Sequence, residues 1–238
     1  MKKLLFILSI LIVLASCKDS TPTSGNVTMK VSAASTSGKT IASGRVATSR
    51  IVLTDFKVNI GEIKFDVDND DARFKTDSVV EDVKLKGPFL LNILDSTKTL
   101  SQLINTVNLH VGQYKEIKVK FVKSTVAGEM NGKTFLIKGT VDKKKFLISS
   151  DKEVVLKVKF EDHNKKYVAT TNSQNIIIKI RIDAVLAKLV AWANAGYLKD
   201  IDGDGFIDLC TCDKDGHKNL GDQIRSIIEG DTKMDDKD

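Results

Sequence analysis

Asp200-Ile201-Asp202-Gly203-Asp204-Gly205-Phe206-Ile207-Asp208 is the stretch of this 238-residue chain whose residue types and spacing point to chemistry. Carboxylates fall at positions 1, 3, 5 and 9 of the stretch, with a glycine at position 6. Calcium takes about six to eight oxygens at roughly 2.3–2.6 Å, and alternate residues of a tight loop turn several carboxylates inward where a glycine permits the bend. The carbonyl of Phe206 would add an oxygen, and Ile207 would pack the loop onto the rest of the fold. Carboxylates this close repel one another unless a cation lies between them. The expected ligands of a structural calcium ion are therefore Asp200, Asp202, Asp204, Asp208 and the backbone of Phe206. Position 12 is Thr211, which brings no carboxylate; either the affinity is weak or Asp213 or Asp215 completes the shell from the next turn, and the alternative to calcium is a metal-free acidic loop.

The spacing resembles the first nine positions of the EF-hand, dockerin and thrombospondin-type-3 calcium loops. It departs from them at Thr211, and the helix that follows starts later than in an EF-hand. Asp213-Lys214-Asp215-Gly216-His217 looks like a fragment of a second such loop. Cys210-Thr211-Cys212 permits two readings: a disulfide strained by the short separation, or a soft-metal site completed by His217.

Catalytic patterns are not found in the sequence. His110, His163 and His217 are its only histidines, and none sits in a motif with a nucleophile. Glu81-Asp82 and Glu161-Asp162 are adjacent pairs, and neighbours in a strand point to opposite faces, so they read as solvated turn charges. No glycine-rich phosphate loop follows a strand and opens a helix. Trp192 and Tyr197 could belong to a sugar-stacking platform, although an aromatic on a helix face reads first as core.

The amino terminus carries an address. Lys2-Lys3 precedes the apolar run Leu4 to Leu14, which ends in Ala15-Ser16-Cys17. A membrane span needs about 20 apolar residues, so this run reads as a secretory signal, residues 1–16. With its cysteine it resembles the lipobox of bacterial lipoproteins. That resemblance implies that the Cys17 thiol takes a diacylglyceryl group, that the chain is cut before Cys17, and that the new amino terminus is acylated with a chain such as palmitate. Several acyl chains anchor stably where one does not. Residues 17–26 are small and polar, the composition of a tether. Lys18-Asp19 resembles the charged export signals of Bacteroidota surface lipoproteins, which implies the outer membrane, on its periplasmic or its surface side.

Charge is unevenly placed. Loss of residues 1–16 removes Lys2 and Lys3 and lowers the net charge from +6 to +4. From Gly196 onward there are 12 acidic and 6 basic residues, so the tail is acidic and the body strongly basic. Lysines alternate with apolar residues along strands, as between Lys115 and Lys123, which puts them on the solvated face of a sheet and argues against nucleic acid. Only Cys210 and Cys212 would remain as thiols in an oxidising compartment.

The elements follow from periodicity. Val27, Met29 and Val31 alternate with polar residues. Ile51-Val52-Leu53, Phe56 to Ile60 and Glu62 to Val67 are β-rich runs. Further strands are expected at 79–85, 89–94, 114–122, 134–138, 145–149, 154–160, 167–169 and 176–182, with turns at Gly87-Pro88, Asn131-Gly132, Asp142-Lys143 and His163-Asn164. A short helix is expected near Leu100 to Ile104. After Asp183 the period becomes helical through Leu186, Leu189, Val190 and Ala193, with Gly196 as cap. A second helix is expected at Leu220 to Ile228, with Asn219 as N-cap. The expected fold is mainly β: an antiparallel β-sandwich over 27–184, two short helices flanking the acidic loop over 185–230, and a disordered tail over 231–238.

Val52-Leu53-Thr54-Asp55, Lys86-Gly87-Pro88-Phe89-Leu90-Leu91-Asn92-Ile93-Leu94 and His110-Val111-Gly112-Gln113-Tyr114-Lys115-Glu116-Ile117 resemble a family of envelope lipoproteins common in Bacteroidota. Its members share a Leu-Thr-Asp strand end, a Gly-Pro-Phe segment and a Gly-x-Tyr turn, and form a domain of unknown function. The resemblance covers about residues 27–184 and implies a transthyretin-like or immunoglobulin-like sandwich with no established activity. The expected function is that of a lipid-anchored, non-enzymatic module binding a ligand or an envelope partner. The alternatives are a carbohydrate-binding or adhesive surface module, and an envelope hydrolase whose groups converge only in the fold.

Overall fold

A computed structural model describes residues 24–34, 46–48, 50–71, 82–94, 107–158, 166–210, 218–230 and 232–235. The signal, Cys17, the helix expected near Leu100 and the turn at His163-Asn164 lie outside these residues. In chain order the strands are β1 (Ser24–Ala34), β2 (Val46–Ala47), β3 (Ile51–Val67), β4 (Val83–Asn92), β5 (Val107–His110), β6 (Gly112–Phe121), β7 (Phe135–Val141) and β8 (Lys144–Ser150). They continue as β9 (Val154–Val158), β10 (Tyr167–Ala169) and β11 (Gln174–Arg181). The C-terminal part holds α1 (Ile182–Asn194), β12 (Phe206–Cys210), α2 (Lys218–Gly230) and β13 (Thr232–Asp235).

The protein is a β-sandwich of two mixed sheets. One has the order β13-β11-β1-β5; the other runs β10-β6-β3-β7-β8-β12, with β2 and β4 also on β3 and β9 on β6. Inward residues of both sheets form one continuous apolar core, from Val27 and Met29 of β1 to Phe56 and Phe65 of β3 and Ile178 of β11. The antiparallel expectation holds for most pairs, but β1 lies parallel to β11 and β12 parallel to β8. Both pairs join strands far apart in the chain, as parallel pairing requires of its connections.

β3 is the longest of these strands, at 17 residues. Its three β-rich runs are one strand, re-phased at two irregularities, between Leu53 and Asp55 and between Ile60 and Glu62. Each inserts a residue, so the inward sets Ile51/Leu53, Phe56/Val58/Ile60 and Ile63/Phe65/Val67 all reach the core despite the broken alternation. Along one edge, residues 51–58 pair with β7 and residues 60–67 with β6. Asn59 stands at the fork: its N–H donates to the Thr134 carbonyl at 3.0 Å, and its carbonyl accepts from the Val122 N–H at 3.0 Å.

Several expectations need correction. Gly87 and Pro88 do not turn the chain; they lie inside β4, which joins the two expected strands. Among the described residues β4 pairs only with β3, and an edge tolerates the missing proline N–H. β1 starts at Ser24, so the end of the expected tether belongs to the sheet. The tail contributes β13, paired with β11. Asn219 falls inside α2 rather than ahead of it. The β7–β8 hairpin turns at Asp142-Lys143 as expected, both residues at positive φ, 48° and 71°.

The outer face of the larger sheet is a lattice of lysines and carboxylates. Asp66, almost fully buried, takes Lys64 and Lys118, each at 2.6 Å. Lys64 also meets Asp82 at 2.7 Å, and Lys118 meets Glu116 at 2.9 Å. Glu129, in the β6–β7 connection, bridges Lys57 and Lys138. Burial pushes the Asp66 carboxyl up, but the hydrogen bonds from Lys118 and Lys64 outweigh it and hold it below the ordinary carboxylate value. Asp82 shows the same balance, with burial opposed by Lys64 and the Val67 N–H. Lys138 and Lys57 lower Glu129, and Lys166 lowers Asp68.

These depressed values set the acid limit. An unfolded chain binds these protons near pH 4, whereas the folded chain resists, so the stabilisation is intact above about pH 4 and is lost as pH falls through the folded values. The urea midpoint should drop between pH 7 and pH 3. Asp66→Asn, which removes the charge that Lys64 and Lys118 share and leaves them Asp82 and Glu116, should cost about 1–3 kcal/mol at pH 7 and flatten that acid dependence. A midpoint equal at both pH values would contradict the lattice as a stabilising feature.

Candidate metal centre

The acidic loop is held at both ends. α1 carries Asp183 in its first turn, which suits the helix dipole, and buries Val185, Leu186, Leu189 and Trp192 in the core. Gly196, at φ +73°, ends it: the Gly196 N–H donates to the Ala193 carbonyl at 3.2 Å and the Tyr197 N–H to the Trp192 carbonyl at 2.9 Å. After the loop, Phe206–Cys210 enters the larger sheet beside β8, with Ile207 and Leu209 fully buried. Ile207 thus packs the loop onto the domain as its position suggests.

Between these anchors Asp200, Asp202 and Asp204 each bring a carboxylate oxygen, all within 4.8 Å of one another. The loop is shaped by its own acids. Asp200 accepts the Gly203 N–H at 2.8 Å through Oδ1 and the Gly205 N–H at 3.1 Å through Oδ2. Asp202 accepts the Asp204 N–H at 3.2 Å, and Asp204 the Phe206 N–H at 2.8 Å. Gly203 and Gly205 sit at φ +76° and +87°, where a side chain would strain the backbone. Three like charges at this spacing repel by about 1 kcal/mol per pair even at the dielectric of water. A divalent cation turns that repulsion into coordination by hard oxygens.

Other expected ligands fall differently. Asp208 lies on β12, opposite Leu147, outside the cluster of three. Phe206 starts β12 with its ring 42% exposed and the Lys145 ammonium 5.4 Å from the ring centre. Asp213, Asp215, Cys212 and His217 lie outside the described residues, and with them the choice between a Cys210–Cys212 disulfide and a soft-metal site.

The rest of the candidate chemistry disperses. Trp192 is 4% exposed with Lys188 over its ring, so it is core, while Tyr197 is 58% exposed; the two do not make a shared stacking platform. His110 is exposed at the end of β5, and its carbonyl accepts the Tyr114 hydroxyl at 3.1 Å. Burial pushes that phenol up to about 12, although this bond opposes the rise. His163 and the Glu161-Asp162 pair lie outside the described residues. Asp82 is no loose turn charge: besides Lys64 it holds the Val67 N–H at 3.1 Å. Sequence reasoning passed over Asn59, Glu62 and Lys86, whose grouping depends on the fork in β3. Its one local signal is an amide inside the apolar run Phe56 to Ile60.

No helix among the described residues is long and apolar enough to cross a membrane. Comparison with protein-family models, curated proteins and solved structures gave no match.

Proposed function

We propose that this chain is a lipid-anchored envelope lipoprotein: a non-enzymatic β-sandwich that binds a ligand or an envelope partner, with a calcium ion stapling its C-terminal loop. What carries the reading is one pairing. An export and acylation sequence ending at Cys17 precedes a domain whose half-buried Asp200 and exposed Asp202 and Asp204 suit an ion plentiful outside the cytoplasm. Residues 17–23 span at most about 25 Å when extended, so the lipid would hold the start of β1 close to the bilayer. The outer membrane is the proposed location, following Lys18-Asp19. Membership of the Bacteroidota-type family with the Leu-Thr-Asp, Gly-Pro-Phe and Gly-x-Tyr pattern belongs to the same proposal.

In this reading calcium contributes folding energy and no chemistry. Asp200, Asp202 and Asp204 would hold it, with the Phe206 carbonyl as the expected backbone ligand. Binding to the folded state alone stabilises by about 2.7 kcal/mol at a free calcium of about one hundred times Kd. For a chain of this size that raises Tm by about 5–10 °C. Chelation should remove the increment, and Asp202→Ala with Asp204→Ala should make Tm indifferent to calcium. An equal Tm with calcium and with chelator in the unsubstituted chain would sink the metal assignment.

The anchor has its own test. Cells fed labelled palmitate should label the chain and retain it in the membrane fraction, and Cys17→Ala should abolish both. Labelling that survives Cys17→Ala would remove the anchor from the proposal.

A further inference from the structure

Where β3 passes from β7 to β6, the outer face of the larger sheet opens into a groove of about 440 Å³. That volume falls within the roughly 300–1,000 Å³ of small-molecule sites. The opening has a local cause. Opposite Ile60 and Glu62 the β4 partners are Phe89 and Lys86, so Gly61 on one strand and Gly87-Pro88 on the other stand outside the ladder. On the opposite side β6 ends at Phe121, and the chain leaves through Val122.

The groove presents charges that the lattice leaves over. Glu62 lies directly across from Lys86 on β4 and Lys120 on β6. Lys120 is paired with Glu153 at 2.8 Å and Lys123 with Asp151 at 3.0 Å, both carboxylates half exposed. Such surface pairs are weak and leave their ammonium groups available. Glu62 and Lys86 themselves make no ion pair or hydrogen bond through their side chains among the described residues. Asn59 supplies the inner wall. It stands on the strand parity of Asp55 and Lys57, away from the core, yet is 1% exposed. Its amide nitrogen donates to the Val122 carbonyl at 3.0 Å, while its Oδ1 has no partner among the described residues. A buried carbonyl left unpaired is costly, and a donor held in the groove, or a water that donor orders, would satisfy it.

We propose that this groove is a binding site for a small, singly charged anion that carries hydrogen-bond donors beside its charge, as an acidic sugar or an acidic amino acid does. Lys86, with Lys120 and Lys123, takes the anionic group. Glu62 accepts from the adjacent hydroxyl or ammonium, and Asn59 Oδ1 from the deepest donor. Pro88 and Val122 offer carbon surface to the ligand skeleton. Glu62 in the middle repels a multiply charged anion, which favours one charge with donors over phosphate or a nucleic-acid backbone. The site goes beyond the function proposed above and needs neither the lipid nor the calcium ion.

The test is a titration of the full chain in detergent with sodium D-glucuronate and sodium L-glutamate, with D-glucose and sodium sulfate as controls. Saturable binding of at least one of the two anions is expected, and which one binds names the source. Glucose should not bind, and Lys86→Ala and Glu62→Gln should each weaken the anion by about tenfold or more. Neither side chain anchors another, so both variants keep the fold, which an unchanged melting curve verifies. Absence of saturable binding by both anions, equal affinity for sulfate, or affinity unchanged in both variants would overturn the site. None of these outcomes bears on palmitate labelling or on the calcium dependence of Tm, so the two readings fail separately.

Discussion

Asn59 spends its two backbone groups on two different neighbours, and the shape of the larger sheet follows from that. A strand edge can serve only one partner at each residue, so β6 and β7 must divide β3 between them. Asn59 is where they do, with one hydrogen bond to Val122 and one to Thr134. The connection between these arms is not a hairpin turn, because both run antiparallel to β3 and β7 continues in the direction in which β6 ends. It is instead a folded loop, closed by the Ser124 N–H to the Lys133 carbonyl at 2.9 Å and the Gly132 N–H to the Ser124 carbonyl at 2.8 Å. Lying over the outer face, that loop brings Glu129 between Lys57 and Lys138. Buried backbone groups must be paired, so fork, loop and lattice form one solution to a single pairing problem.

The lattice explains how so basic a body can be an ordinary sheet surface. Lys57, Lys64, Lys118, Lys120 and Lys138 all meet a carboxylate, Lys118 across strands and the others along a strand or in a connection. Partly exposed ion pairs of this kind each contribute about 0–1 kcal/mol. Such pairs cannot hold the fold by themselves; burial of Phe56, Phe65, Phe121 and Phe135 does more. What the carboxylates do is offset like charges: the native register sets Lys64 between Lys84 and Lys118, and Asp66 and Asp82 neutralise that row. Register is held by the core, because a one-residue slip would turn core residues outward.

Local features were legible in the sequence and distant ones were not. Gly196 was readable as a helix cap because its requirement, a positive φ after an apolar helical run, concerns only adjacent residues. Asp142-Lys143 and the grouping of Asp200, Asp202 and Asp204 were readable for the same reason. β3 shows the boundary. Its breaks at Thr54-Asp55 and Gly61 are visible as interruptions of period two, but only partner strands decide whether an interruption is a turn or a bulge. Gly87-Pro88 misleads in the same way, since a turn signal and an edge irregularity share a composition. The parallel pairs β1–β11 and β8–β12 leave no local mark, nor does the meeting of Glu62, Lys86 and Asn59.

The acidic loop is therefore less an appendage than a splice. It begins where α1 is capped and ends where β12 enters the sheet, and both neighbours bury side chains in the main core. α2 leans on the same edge, packing against β8, β9 and β12, with Ile224 and Ile228 buried and Lys152 reaching Asp222 at 2.9 Å. Opening the loop would loosen β12, the outermost strand of its path, and with it the support of α2. Repulsion among Asp200, Asp202 and Asp204 acts on that joint whenever no cation offsets it. An ion bound there would act on the edge of the larger sheet rather than on a loose tail, which is why its effect belongs to the stability of the whole domain.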